Sequence, residues 1–228
     1  MKARTRVHAG ELLRHQAYTR VLHWTVAIFF IPALLSGFAI YSPWLYHWLT
    51  PIFGGGPMTR FLHPWFSLGF VISFAFQVLN WLRPMAWTSD DSRWLLQLRR
   101  YVANEEAREP EYVDFFNGGQ KAYFWTIVAS AVLFLISGLP MWLPEIFGRI
   151  PAAVGYVAHD LAAIVMLVGF IIHIYESTSA IPGTLRSMTR GTVTRIWAWT
   201  YHPAWYRRVT AGAIDEPRPP RGGVDERG

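Results

Sequence analysis

Two histidines, His159 and His173, bracket an apolar segment, AHDLAAIVMLVGFIIHIYE, over residues 158–176. An imidazole can donate and accept a hydrogen bond, take up a proton near neutral pH, or bind a metal. In water each of these is routine. In hydrocarbon an unpaired ring nitrogen is costly, so a histidine there signals a function and requires a partner. Fourteen residues of α-helix rise about 21 Å in close to four whole turns, which sends both rings out of one side of a helix at two depths. Two more histidines lie against apolar stretches, His23 in VLHWT and His63 in FLHPW.

The elements that must position these rings are legible from composition. The chain of 228 residues is 52% hydrophobic and 16% charged, against about a quarter charged in an ordinary soluble domain. A hydrocarbon core of roughly 30 Å needs about 20 apolar residues of helix, and four segments supply them: 21–41, 63–83, 121–142 and 153–175. The first follows a basic stretch. Its apolar run is too long for a secretory signal and no A-x-A site follows, so it is read as a retained span. The expected fold is all-α, an integral membrane four-helix bundle over 21–176, with an N-terminal arm at 1–20 and a C-terminal tail at 177–228.

Lys2, Arg4, Arg6, Arg14 and Arg20 precede the first span, and Arg83, Arg93, Arg99, Arg100 and Arg108 fill the second connection. Arg60 and Arg149 stand alone in the other two. Positive charge gathers on the cytoplasmic side, so both termini and the 2–3 connection are expected there. The net charge of +6 therefore reflects topology, and no nucleic-acid partner is expected. A short helix is expected around Arg93–Asn104, and the aromatic, basic tail RSMTRGTVTRIWAWTYHPAWYRR is expected to lie as a surface helix or arm on anionic lipid. Residues 215–228 have the composition of a disordered segment.

On this topology the histidines sort into an outer pair, His63 with His159, and an inner pair, His23 with His173. Two stacked b-type haems, each clamped by two imidazoles from facing helices, satisfy all four rings at once. Zinc would want its ligands in one place, and a proton relay would need closer spacing or acidic partners. The absence of cysteine excludes disulfides, cysteine-bound iron–sulfur clusters and covalent haem within this chain. His8, His15, His47 and His202 fall outside the spans and are read as interfacial residues. Asp160 sits about 100° around the helix from His159 and is expected to face outer water or a partner subunit.

Sliding the first half by 101 positions lays Trp24, Thr25, Ser36, Gly37 and Pro43 on Trp125, Thr126, Ser137, Gly138 and Pro144. Spans one and three would then be parallel copies, unless two aromatic segments match by chance. Gly37, Gly69, Gly138, Gly155 and Gly169 could either leave room for a macrocycle or serve helix packing.

LHW at 22–24, LHP at 62–64, NGGQK at 117–121, the span-four pair ending in HIY and HPAWY at 202–206 together resemble the cytochrome b (gamma) subunits of respiratory formate dehydrogenases. Order and spacing hold over residues 15–208; cytochrome b subunits of hydrogenases and of thiosulfate or similar reductases share the bundle more loosely. The resemblance implies two haems b, and a quinone site (menaquinone or ubiquinone) on Asn117, Gly119, Gln120 and His173. It also implies an iron–sulfur (beta) subunit, a molybdenum- or tungsten-containing catalytic (alpha) subunit that holds the formate chemistry, and the bacterial inner membrane. A higher oligomer of the complex stays open. Gly118 stands where the family pattern leads one to expect alanine, a change read as mild.

The expected function is that of an electron-transferring subunit of a formate:quinone oxidoreductase, with electrons entering at the outer pair, quinone reduced beside the inner one and protons drawn from the cytoplasm. Moving each electron inward costs at most about 2.3 kcal/mol per 100 mV, so the donor must be low-potential. The alternatives are the cytochrome b of a nickel–iron hydrogenase or another reductase and, in a different class, a non-redox four-span anchor or transporter.

Overall fold

The computed structural model describes residues 10–99, 103 and 108–211. Among them, four helices are long and apolar enough to cross a membrane: α1 (Ala17–Tyr41), α3 (Gly56–Trp81), α5 (Gly118–Trp142) and α7 (Arg149–Tyr175). Each starts before its apolar core. The reason is that hydropathy marks only the lipid-facing stretch, whereas the backbone must keep its hydrogen bonds through the interface as well. Gly55 and Gly148, at φ of 100° and 89°, turn the chain into α3 and α7, conformations that cost glycine little. A short helix α2 (Pro43–Leu49) with a 3₁₀ turn at Thr50–Phe53 joins α1 to α3, and α6 (Pro144–Phe147) joins α5 to α7.

The bundle is built as two antiparallel hairpins, α1 on α3 and α5 on α7. They meet at a central cluster of Phe70, Ile127, Ala131 and Met166. Outward surfaces are apolar: Ile28 is 67% exposed, Leu79 68% and Ile136 63%. A contiguous exposed apolar surface of this kind belongs in lipid, and the chain is a multi-pass membrane protein. Its interior is lined with small and hydroxylic residues, as close helix packing in a bilayer favours. Buried Ser36, Ser73, Ser130 and Ser137 each donate to the carbonyl four residues back, at 2.6, 2.8, 3.0 and 2.6 Å. Three of the five glycines serve packing: Gly69 against Phe29, Gly155 against the Ser137 carbonyl and Met141, and Gly169 against Ile127 and Tyr123.

The soluble end differs from the expectation. The tail is not an isolated arm: it folds with the N-terminal segment into a small cap. Strand β1 (Glu11–Leu13) pairs antiparallel with β2 (Thr192–Thr194), Leu12 opposite Val193. Around them pack α8 (Thr184–Thr189), α9 (Arg195–Tyr201) and α10 (Pro203–Thr210), which enclose Leu12, Val193, Trp197, Ala198, Trp205 and Tyr206. Aromatic residues read as membrane anchors thus have one another to bury against. The helix expected at Arg93–Asn104 is instead α4 (Ser89–Leu96), started four residues earlier by a capping box between Thr88 and Asp91. Residues 100–102 and 104 of that expectation, His8 and the segment 215–228 lie outside the described residues.

At the centre of the cap the Arg14 guanidinium lies 3.9 Å from the Phe115 ring centre and 4.6 Å from that of Trp205. It donates to the Phe115 carbonyl and, at 3.2 Å, to Nε2 of His202, whose Nδ1–H donates to the Asp114 carbonyl at 2.7 Å. His202 is 1% exposed and His15 6%, so neither is the interfacial residue its sequence position implies.

Burial, with the Arg14 charge second, holds the His202 pKa well below its ordinary value and pushes His15 down to about 3. Unfolded, both rings titrate near 6.5. The unfolded cap therefore binds protons that the folded cap refuses, so its stability is full above about pH 6.5 and falls as the pH drops toward 3. Cap amides of residues 192–206 should lose hydrogen-exchange protection, after correction for intrinsic rates, between about pH 7.5 and pH 4.5, while the centres of α5 and α7 keep theirs. Equal protection at both values would mean that the cap does not rest on neutral His202.

A second expectation concerns Gly118, at the start of α5. A Cβ there would lie 2.6 Å from the Asp91 carbonyl oxygen and 3.1 Å from Trp94 Cβ, so the glycine is required by the close seat of α4 and is not a mild exchange for alanine. Gly118→Ala should cost about 1–3 kcal/mol by overpacking, read as earlier thermal unfolding in detergent; an unshifted transition would show that α4 yields freely.

Candidate functional site

The outer pair comes from α3 and α7. The His63 and His159 ring centres lie 6.3 Å apart, their planes at 69°. Behind each ring stands a serine from the other helix of its own hairpin: Ser36 Oγ is 2.9 Å from His63 Nδ1, and Ser137 Oγ is 3.1 Å from His159 Nδ1. A serine has a single proton. Ser36 spends it on the Pro32 carbonyl and Ser137 on that of Leu133, both at 2.6 Å, so each can only accept from its histidine. This arrangement assigns the hydrogen to Nδ1 in both rings and leaves Nε2 its lone pair.

Gly37 and Gly138 face the same rings: a Cβ at Gly37 would crowd His63 Cε1 at 3.2 Å, and one at Gly138 would touch His159 Cε1 at 3.5 Å, ordinary contact. The 101-residue register therefore carries geometry: Ser36–Gly37 and Ser137–Gly138 do the same work in the two hairpins. The histidines themselves fall out of that register, because His63 follows its serine by 27 residues and His159 by 22, the first connection being longer.

The inner pair joins α1 to α7, with His23 and His173 ring centres 6.0 Å apart at 47°. Tyr123 lies parallel to His173, 5.6 Å away, and Trp24 meets His23 edge-on at 5.2 Å. His23 Nδ1 is buried with no partner. A metal–imidazole bond is about 2 Å and the ring centre lies about 1.1 Å behind its nitrogen, so two imidazoles on opposite sides of one metal would have centres roughly 6.2 Å apart. Both pairs match that separation. Among the described residues no three His, Cys, Asp or Glu side chains converge, so a metal held by either pair would need its remaining ligands from another group, such as a planar macrocycle.

At the start of α5 the residues named for quinone form a reciprocal cap. Asn117 Oδ1 accepts from the Gln120 N–H at 2.8 Å, and Gln120 Oε1 accepts from the Asn117 N–H at 3.1 Å. Asn117 Nδ2 donates to Glu109 at 3.0 Å, and Trp94 Nε1 donates to the other oxygen of that carboxylate at 2.7 Å. Next along, Lys121 pairs with Asp91 at 2.8 Å and donates to the Ala86 carbonyl at 3.0 Å. A cleft of about 520 Å³ opens beside this network between Arg83, Phe115, Phe116, Lys121 and Arg208, a size suited to a small organic ligand. Asp160 is exposed, as its helical position implies.

Sequence reasoning missed Ser36 and Ser137 as partners of the outer rings, although the repeat that contains them was visible. It also missed Glu109, Trp94 and the Asp91–Lys121 pair, for which no local pattern exists, because their partners are brought together only by tertiary folding.

Residues 14–191 match the family described as prokaryotic cytochrome b561. The chain is 31% identical to the nitrate-inducible formate dehydrogenase cytochrome b556(Fdn) subunit of Escherichia coli (strain K12), over 87% of this chain and 91% of that protein. It is 32% identical to the cytochrome b556(fdo) subunit of formate dehydrogenase from the same organism, over 87% and 93%. Against the formate dehydrogenase cytochrome b556 subunit of Haemophilus influenzae it is 27% identical, over 90% and 86%. With the four spans and the paired histidines already in place, these matches show that the chain belongs to the prokaryotic cytochrome b561 family, similar along most of its length to formate dehydrogenase cytochrome b556 subunits.

Proposed function

We propose that this protein is the membrane-anchoring, dihaem cytochrome b subunit of a respiratory formate dehydrogenase in a bacterial inner membrane. The observation that carries the reading is the pair of ring separations, 6.3 and 6.0 Å, at two levels about 21 Å apart along α7. His63 and His159 hold the outer haem b through Nε2, with Ser36 and Ser137 fixing the tautomer. His23 and His173 hold the inner one. Bound there, the two irons supply one-electron redox chemistry across the bilayer. The cap and both termini face the cytoplasm, where the positive-inside rule puts the Arg-rich 2–3 connection.

The relatives, cytochrome b556 subunits of formate dehydrogenases, favour formate as the donor, oxidised on a molybdenum- or tungsten-containing subunit whose electrons pass through an iron–sulfur subunit on the outer face. Quinone binds at the start of α5. The uncommitted Nε2 of Gln120, the second N–H of the Asn117 amide and the Gly119 backbone N–H are the donors for a quinone carbonyl, with His173 as the fourth residue of the site. Glu109, held by Asn117, places a carboxylate where protons from the cytoplasm must pass.

Purified protein should give a pyridine haemochrome of about two haems per chain, the count that the four ligands require. His63→Ala or His159→Ala should remove the outer spectral component, and His23→Ala or His173→Ala the inner. A colourless folded protein, or His63 and His173 variants that share one spectrum, would defeat the pairing. For quinone, Gln120→Ala should leave both haems reducible by the partner subunits and slow their reoxidation by quinone by about tenfold, the size of a lost hydrogen bond to bound substrate. Unchanged reoxidation would move the quinone site elsewhere.

A further inference from the structure

On α3, His63, Phe70 and Gln77 recur at seven-residue intervals and therefore share one face. On α7, His159, Met166 and His173 do the same. Phe70 and Met166 meet in the central cluster, so both stripes look into the bundle. Gln77 thus stands on α3 at the depth that His173 occupies on α7. The α1–α3 hairpin gives the same level independently. Ser36 meets His63 at the outer end and Thr19 meets Asn80, 3.4 Å apart, at the inner end, so His23, one turn beyond Thr19, comes level with the turn of α3 that carries Gln77.

Gln77 is only 4% exposed, and neither Nε2 nor Oε1 has a hydrogen-bond partner. A fully buried amide with both ends unsatisfied is rare in a native interior, and rarer where no water is at hand. Methionine, leucine or phenylalanine would fill the same volume without that penalty. Some polar group that the protein does not itself supply must therefore reach this level. The space shared there is the one between His23 and His173. The periphery of a b-type porphyrin is hydrocarbon apart from two propionate carboxylates, and a carboxylate is a strong partner for an amide N–H.

We propose that Gln77 binds the inner haem directly, its amide donating to a propionate of the porphyrin held between His23 and His173. This rests on the dihaem reading. Donation from Gln77 draws charge off the carboxylate, which weakens its support for the ferric iron and raises the inner reduction potential relative to a site without the amide. Among the described residues no buried amide without a partner stands at the outer level, so the contact also makes the two sites chemically unequal.

The test is Gln77→Leu in the full chain, purified with both haems, by potentiometric titration of each spectral component and resonance Raman of the propionate bending band. The inner component should show a fall in its ferrous-to-ferric ratio at fixed potential on the order of threefold, where tenfold is 59 mV for a one-electron couple. Its propionate band should move, and the outer component should stay in place. Selective loss of the inner haem supports the contact as well. If Gln77→Leu loses both haems, the shorter amide of Gln77→Asn is read by the same two signals. Two haems per chain with inner potential and propionate band both unmoved would overturn the proposal while leaving the dihaem reading intact; one haem per chain in the parent protein would overturn the dihaem reading itself.

Discussion

A ring nitrogen inside a bilayer has no water to fall back on, and most of this structure follows from giving each imidazole a use for both of its nitrogens. At the outer level the solution is complete within the protein on one side of each ring. A serine hydroxyl whose proton goes to its own helix is left to accept, which assigns the histidine proton to the nitrogen facing it. The opposite nitrogen is then left with its lone pair. Two such nitrogens without partners cost free energy in a bilayer, and the proposed function gives them a shared ligand.

The two hairpins share parts at the outer level and part company at the inner one. Ser36–Gly37 and Ser137–Gly138 are interchangeable in what they touch. The 101-residue register places Phe124 opposite His23, and the heptad stripe places Gln77 opposite His173, so the second inner histidine has no twin in either hairpin. On the proposed function this division is reasonable. The outer site has only to relay electrons, and a symmetric clamp suffices. The inner site must also serve a substrate with a distinct head and tail and a supply of protons, and Tyr123, Gln77 and the Asn117–Glu109 network all cluster toward that end from different elements.

What could be read from the sequence was whatever the bilayer itself enforces. Span number, their apolar cores and the depth of each histidine follow from hydrocarbon thickness and helical rise, and the pairing of His63 with His159 and of His23 with His173 follows from depth alone. Helix starts were placed too late because capping residues such as Asn117 and Thr88 extend helices beyond the apolar stretch. The cap was invisible for a different reason. Trp197, Trp205 and Tyr206 look the same in sequence whether they anchor to lipid or bury against Leu12 and Val193, and the choice depends on a strand of three residues contributed from the far end of the chain. Gly118 was misjudged likewise, since its need for a bare Cα comes from α4.

The cap has a consequence for how the protein is made. Its β1–β2 pairing and its Arg14–His202 contact, residues 188 apart in sequence, can close only after the last span has been threaded and the tail released. At 5–20 residues per second the ribosome needs about 10–40 s for that stretch. Throughout that interval Leu12 and the Arg14 guanidinium wait without their aromatic partners, on the same side of the membrane as the emerging tail. Closure of the cap is therefore a record that an even number of spans has been inserted: a chain that skipped one would leave its two ends on opposite sides, and the quality-control proteases of the cell would meet an open arm.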